Sequence, residues 1–169
     1  PEDMTPRRKA VAEAIDRRRV GGLAGPYLPL LYSPDVADHV QSLAEYLRFG
    51  LRLPDRLRAL ALLVTAGRHR SADVQLFCEL KDVRDSGLAT EKIALLAGGR
   101  RPHDMDVDEG IIYDFVAQLS ATGRVTENTF NTVLGRFDRE ICIELIVICG
   151  FTAFMTTLLN ITESRFSAS

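Results

Sequence analysis

The sequence has few cysteines and no closely spaced pair of them. Its three cysteines, Cys78, Cys142 and Cys149, form no CxxC motif, and their odd number argues against a disulfide framework or a zinc site. If Cys142 and Cys149 share one helix, they lie about 10 Å apart along its axis, too far to form a bond. Free thiols fit a reducing compartment, and the charged N-terminal stretch lacks a signal-peptide pattern. We therefore expect a cytoplasmic protein.

The sequence also lacks an excess of positive charge. With 21 basic and 23 acidic side chains the formal net charge is −2, so no overall basic field attracts nucleic acid. Basic residues cluster at 7–9 and 17–19 among interspersed acids, which indicates a solvated first helix or, alternatively, an interaction patch. The acids of 106–109 are better explained as helix-start residues favoured by the helix dipole than as metal ligands. We expect no nucleic-acid partner, no metal and no cofactor.

No segment shows the polar–apolar alternation of a strand, and the chain has no repeat and no linker long enough to divide domains. Apolar residues recur instead with the period of amphipathic helices, and Pro6, Pro34 and Pro54 stand where helices begin. The sequence therefore predicts an all-α fold in a single domain over residues 1–169. The predicted helices include about 34–49, 54–68, 71–86 and 90–97, one helix after the loop 98–102, one capped by Thr126, and one over 141–161.

One long apolar run, residues 141–161, carries a single charge, Glu144, and is long enough to cross a bilayer. It also contains three threonines and an asparagine, and it lacks flanking aromatic belts and a Lys/Arg asymmetry. We expect a core or interface helix and no membrane partner. The segment 21–31 is rich in glycine and proline yet apolar, so we expect it to lie across the body or under a neighbouring subunit.

Five groups of short motifs occur in a fixed order within residues 22–162. They are Gly25-Pro26-Tyr27 with Ser33-Pro34; Leu53-Pro54 with the following 56–63; Ser86-Gly87-Leu88; Gly99-Arg100-Arg101-Pro102 with Asp106, Asp108-Glu109 and Tyr113-Asp114-Phe115; and Glu144-Leu145-Ile146 with Gly150-Phe151 and Leu159-Asn160. Their order and spacing together resemble the carboxymuconolactone decarboxylase family, which includes alkylhydroperoxidase D. The resemblance implies an alkylhydroperoxidase D-like helical bundle that forms a homo-oligomer: a trimer, a hexamer or a dimer.

The chain departs from this family at the residues that carry peroxidase chemistry. The peroxidase members use a CxxC pair, a histidine four residues after it and an upstream glutamate. Here the cysteine positions fall near Ala72 and Gln75, and the histidine position falls at Glu79 or Cys78, depending on the direction of counting. The glutamate position holds Ala59 or Leu60. A thiol peroxidase is therefore the least favoured function, because only a paired, activated thiolate supports that mechanism.

Polar and reactive groups nevertheless remain near the position of the family's site. The alternatives for them are a solvated helix-end histidine, a small buried thiol and a surface carboxylate. We expect a mostly apolar pocket between the helices of 54–68 and 71–86, near a subunit boundary, and if Glu79 acts as a base it should be partly buried. The candidate catalytic residues are His69, Cys78 and Glu79, and the candidate substrate-binding residues are Arg68, Val74 and Phe77.

Two functions of different classes follow from these residues. The first is a decarboxylase-type lyase that acts on a small lactone or carbonyl acid and needs a cationic cradle and a proton donor. The second is a non-catalytic helical oligomer that binds a small hydrophobic ligand or a partner at the former site. The loss of the family's glutamate, cysteines and histidine favours the second, while the retained Arg68, His69 and Glu79 keep the first open.

Overall fold

The computed structural model describes residues 4–18, 25–70 and 74–166. Within these ranges the chain forms ten α-helices and no strand, which confirms the all-α prediction. Where the sequence predicted one domain, the contacts group into two compact units, Pro1–Gly50 with Ile161–Ser169, and Leu51–Asn160. Residues 21–24 of the apolar loop and 71–73 of the predicted helix over 71–86 lie outside the described ranges.

The first unit contains α1 (Pro6–Arg18), α2 (Tyr27–Leu30) and α3 (Pro34–Phe49). The prolines begin α1 and α3 as predicted, because their missing N–H is not needed in the first turn. Thr5 caps α1 by accepting a hydrogen bond from the amide of Arg8 at 3.3 Å. The predicted apolar stripe of α3 is only partly buried: Leu47 is buried, whereas Val36 and Leu43 are exposed.

The second unit is built around α4, a helix packed against α7 and α8. Most of α4 is buried, including Leu60, Leu63 and Ala66, which confirms the prediction of a helix surrounded by others. The bounds of α7 and α9 also agree with the sequence signals, since Thr126 caps α9 through its side chain. The helices of this unit are α4 (Asp55–Arg68), α5 (Val74–Glu79), α6 (Lys81–Arg84), α7 (Thr90–Ala97), α8 (Val107–Thr122), α9 (Glu127–Arg136) and α10 (Arg139–Phe166), of which α10 continues past Asn160.

The single helix predicted over 71–86 is wrong, because the chain forms two short helices there. Leu80 separates α5 from α6 with an extended backbone, φ −55° and ψ 129°. Phe77 and Val83 are buried, one on each side of the break. No glycine or proline lies between Val74 and Ser86, so the sequence gives no local signal for the break. Helix α6 ends at Arg84 with Asp85 as its C-terminal cap, so the predicted helix end at Gly87 is wrong, although Gly87 has the left-handed φ of 82°.

A buried carboxylate joins α4, α7 and α8. Glu109 is 2% exposed and accepts hydrogen bonds from the Lys92 ammonium at 2.8 Å and from Arg56 at 2.5 Å. Asp106 and Glu109 also form a reciprocal capping box at the start of α8. The interpretation of these acids as helix-start residues is therefore confirmed, and Glu109 adds a link between three helices.

Helix α10 has one face in the core and one face exposed. Leu145, Ile148 and Cys149 are buried, and Glu144 is buried with its carboxylate accepting from the amides of Arg52 and Leu53 at 2.9 and 2.8 Å. Among the described helices, α10 alone has the length and composition to cross a membrane, over Arg139–Thr162 with mean hydropathy 2.1. Half of its most apolar window is buried inside the protein.

Candidate functional site

An open cleft of about 550 Å³ lies where three helices of the second unit end together. The end of α4 forms one wall, the turn after α7 forms another, and the last turn of α8 forms the third. Its volume is within the range of small-molecule sites. The cleft is lined by Gly67, Arg68, Arg70, Ala97, Gly98, Gly99, Ser120 and Ala121.

The backbone around the cleft is fixed by close contacts and by special conformations. Gly99 has φ 69° and Arg70 has φ 50°, and a residue other than glycine rarely adopts this left-handed conformation. The Asn160 side-chain amide donates to the carbonyl oxygens of His69 and Arg70 at 3.4 and 3.3 Å. Asn160 thereby holds the turn of His69 and Arg70 at the end of α4, with Arg70 at the cleft.

Among the described residues that line the cleft, Arg68, Arg70 and Ser120 have polar side chains. Arg68 and Arg70 are exposed, and neither forms an ion pair with any residue in the described ranges. By contrast, Arg52 and Arg136 are neutralised by neighbouring acids. The Ser120 hydroxyl oxygen is buried and has no hydrogen-bond partner among the described residues. In the described part of the chain, the two arginines at the cleft therefore have no acidic partner, and the buried Ser120 hydroxyl has no hydrogen-bond partner.

The predicted site residues do not all meet in this cleft. Arg68 lines it, and His69 follows directly as the C-terminal cap of α4, half-buried. The other four predicted residues lie on α5 and are not part of the lining: Phe77 is buried, Val74 and Cys78 are half-buried, and Glu79 is exposed.

Glu79 does not have the partial burial expected if it acts as a base. Its carboxylate lies on the solvent side of α5 and accepts from the Gln75 side-chain amide at 3.3 Å. The helix orientation that buries Phe77 turns Glu79 outward, since residues two apart on a helix do not share a face. Glu79 therefore has the environment of a surface carboxylate.

The Cys78 thiol is not activated as a nucleophile. Burial raises the pKa of Cys78, and the neighbouring Glu79 charge raises it further. The thiolate is the reactive form, so this environment keeps Cys78 protonated at neutral pH. Cys142 and Cys149 are free thiols as well, and burial raises the pKa of Cys149 to about 11. No group of three or more histidine, cysteine or acidic residues in the described ranges is arranged to hold a metal.

The sequence analysis did not identify several of the residues that line the cleft. Residues 98–102 were predicted only as a loop, and Gly67, Arg70 and Ser120 were not singled out at all. One local pattern indicates this region of the chain. It is the pair of Arg68 and Arg70 next to Gly67 at the end of α4. The third wall comes from a helix about 50 residues further along the chain, which no local pattern indicates.

Comparison with known proteins adds no relative. No protein-family model matches the chain, and neither the curated proteins nor the solved structures contain a significant match.

Proposed function

We propose that this chain is a non-catalytic, self-associating helical protein of the carboxymuconolactone decarboxylase-like type, working in the cytoplasm. The observation that carries the proposal is an exposed apolar stripe along α10. Ile143 is 60% exposed and Phe154 is 40% exposed, and Ile146 and Val147 lie exposed between them. Exposed apolar residues scattered singly are ordinary, but a contiguous row on one helix face marks an interaction surface.

The stripe follows the period of one helix face. Ile143, Ile146, Val147, Gly150 and Phe154 are spaced i, i+3, i+4, i+7 and i+11, so they stand in a row about 16 Å long. No charged side chain interrupts this row. The same helix turns the buried Glu144 carboxylate toward the backbone amides of Arg52 and Leu53. A helix that packs one face against its own protein, with Glu144 hydrogen-bonded there, is suited to a protein partner on its other face rather than to lipid on all sides.

The stripe is suited to a second copy of the same chain. Gly150 lies at its centre, and a Cβ added there would meet nothing within 4 Å, so the fold of this subunit does not require glycine. A glycine inside a helix is less stable than alanine by about 1 kcal/mol. Close approach of a second helix at Gly150 would offset that loss. A two-fold axis there sets Ile146 and Val147 of each copy against Phe154 of the other.

The non-catalytic part of the proposal rests on the environments of the candidate residues. Glu79 is exposed, and burial raises the pKa of Cys78. Among the described residues that line the cleft beside Arg68, none has a carboxylate, imidazole or thiol to move a proton. A decarboxylase-type lyase needs such a group beside its substrate, so it stays the second candidate.

The test is the mass of the protein in solution, measured by size-exclusion chromatography with light scattering. The wild type should have a multiple of the 18.8 kDa chain mass. Phe154→Asp should dissociate it, because the change places a charge inside the contact. Val107→Asp is the matched control, since Val107 is an exposed apolar residue on another helix, and it should leave the mass unchanged. A monomeric wild type, or a Phe154→Asp variant with the wild-type mass, would refute the proposal.

A further inference from the structure

No further inference is drawn: the strongest candidate, the row of exposed apolar side chains that Val36, Leu43 and Tyr46 form along one face of α3, carries none, because nothing in the structure shows what covers it.

Discussion

The Cα of Gly67 packs directly against the carbonyl oxygen of Leu96. A Cβ built on Gly67 would lie 2.5 Å from that oxygen and 3.0 Å from the carbonyl oxygen of Ala97. Both are backbone atoms, which cannot rotate aside as the tip of a side chain can. Glycine at position 67 therefore sets how closely α4 approaches the end of α7, and this approach forms two walls of the cleft.

Gly67→Ala should destabilise the protein by about 1–3 kcal/mol, because the extra methyl group forces the two helix ends apart. Urea denaturation measures the change. Gly135→Ala is the matched control: Gly135 lies in α9 with nothing within 4 Å of an added Cβ, so alanine should stabilise by up to about 1 kcal/mol. Equal effects of the two substitutions would contradict the role given to Gly67.

Glu144→Ala should destabilise the protein by removing the acceptor for two backbone amides, those of Arg52 and Leu53. The buried Leu53 amide left without a partner is unfavourable by about 1–3 kcal/mol, and the Arg52 amide is only part-buried. Glu140→Ala is the control on the same helix, since Glu140 pairs with Arg52 at the surface and its loss should change stability little. A denaturation midpoint in Glu144→Ala no lower than in Glu140→Ala would show that the amides find other partners.

The sequence predicted the helices best where the signals were local. Proline begins α1 and α3, and Thr126 caps α9, because each acts on the amides of the turn beside it. The bounds of α7 likewise follow from the short apolar stretch between two loops. The bounds of these helices depend on residues within one or two turns, so they can be predicted from a single sequence.

The site was predicted less well because it depends on tertiary arrangement. Glu79 is exposed because of how α5 is rotated about its axis, and the break at Leu80 sets that rotation. The cleft needs the end of α4 to meet Gly98 and Ser120, and neither neighbour is close in sequence. Of the predicted site residues, Arg68 is the one found in the described lining of the cleft.

The three thiols should react slowly in the folded protein. Burial raises the pKa of Cys78, Cys142 and Cys149, the last to about 11, so little thiolate exists at neutral pH. A disulfide-exchange reagent at pH 7 should label them much faster in denaturant than in buffer, with Cys78 reacting first among them because it is only half-buried. Hydroperoxide turnover should be absent. Turnover that disappears in Cys78→Ser would contradict this assignment.

Glu109→Gln should be among the most destabilising conservative changes in the second unit. The substitution keeps the shape of the side chain but removes the charge that faces Lys92 and Arg56. Breaking a buried ion pair is unfavourable by about 3–5 kcal/mol, and the lower end applies here because Arg56 keeps Asp106 as a partner. The free energy of unfolding from urea titration measures the change. Adding Lys92→Met to Glu109→Gln should recover part of the loss, because the unpaired ammonium is then removed.

The Glu109 carboxylate should make the stability of the protein depend on pH under acidic conditions. Burial raises the pKa of Glu109, but the bonds from Lys92, the Asp106 amide and Arg56 together outweigh it, so the pKa lies below its ordinary value. A carboxylate whose pKa is lower in the folded than in the unfolded state stabilises the protein at pH values above the ordinary glutamate pKa, about 4.3. That contribution is lost as pH falls through the folded value, where the native carboxylate takes up its proton. The stability difference between wild type and Glu109→Gln should therefore be constant from neutral pH down to about pH 5 and shrink below it. A stability difference that stays constant down to pH 3, or one that grows as pH falls, would show that the ionised Glu109 carboxylate does not make this contribution to stability.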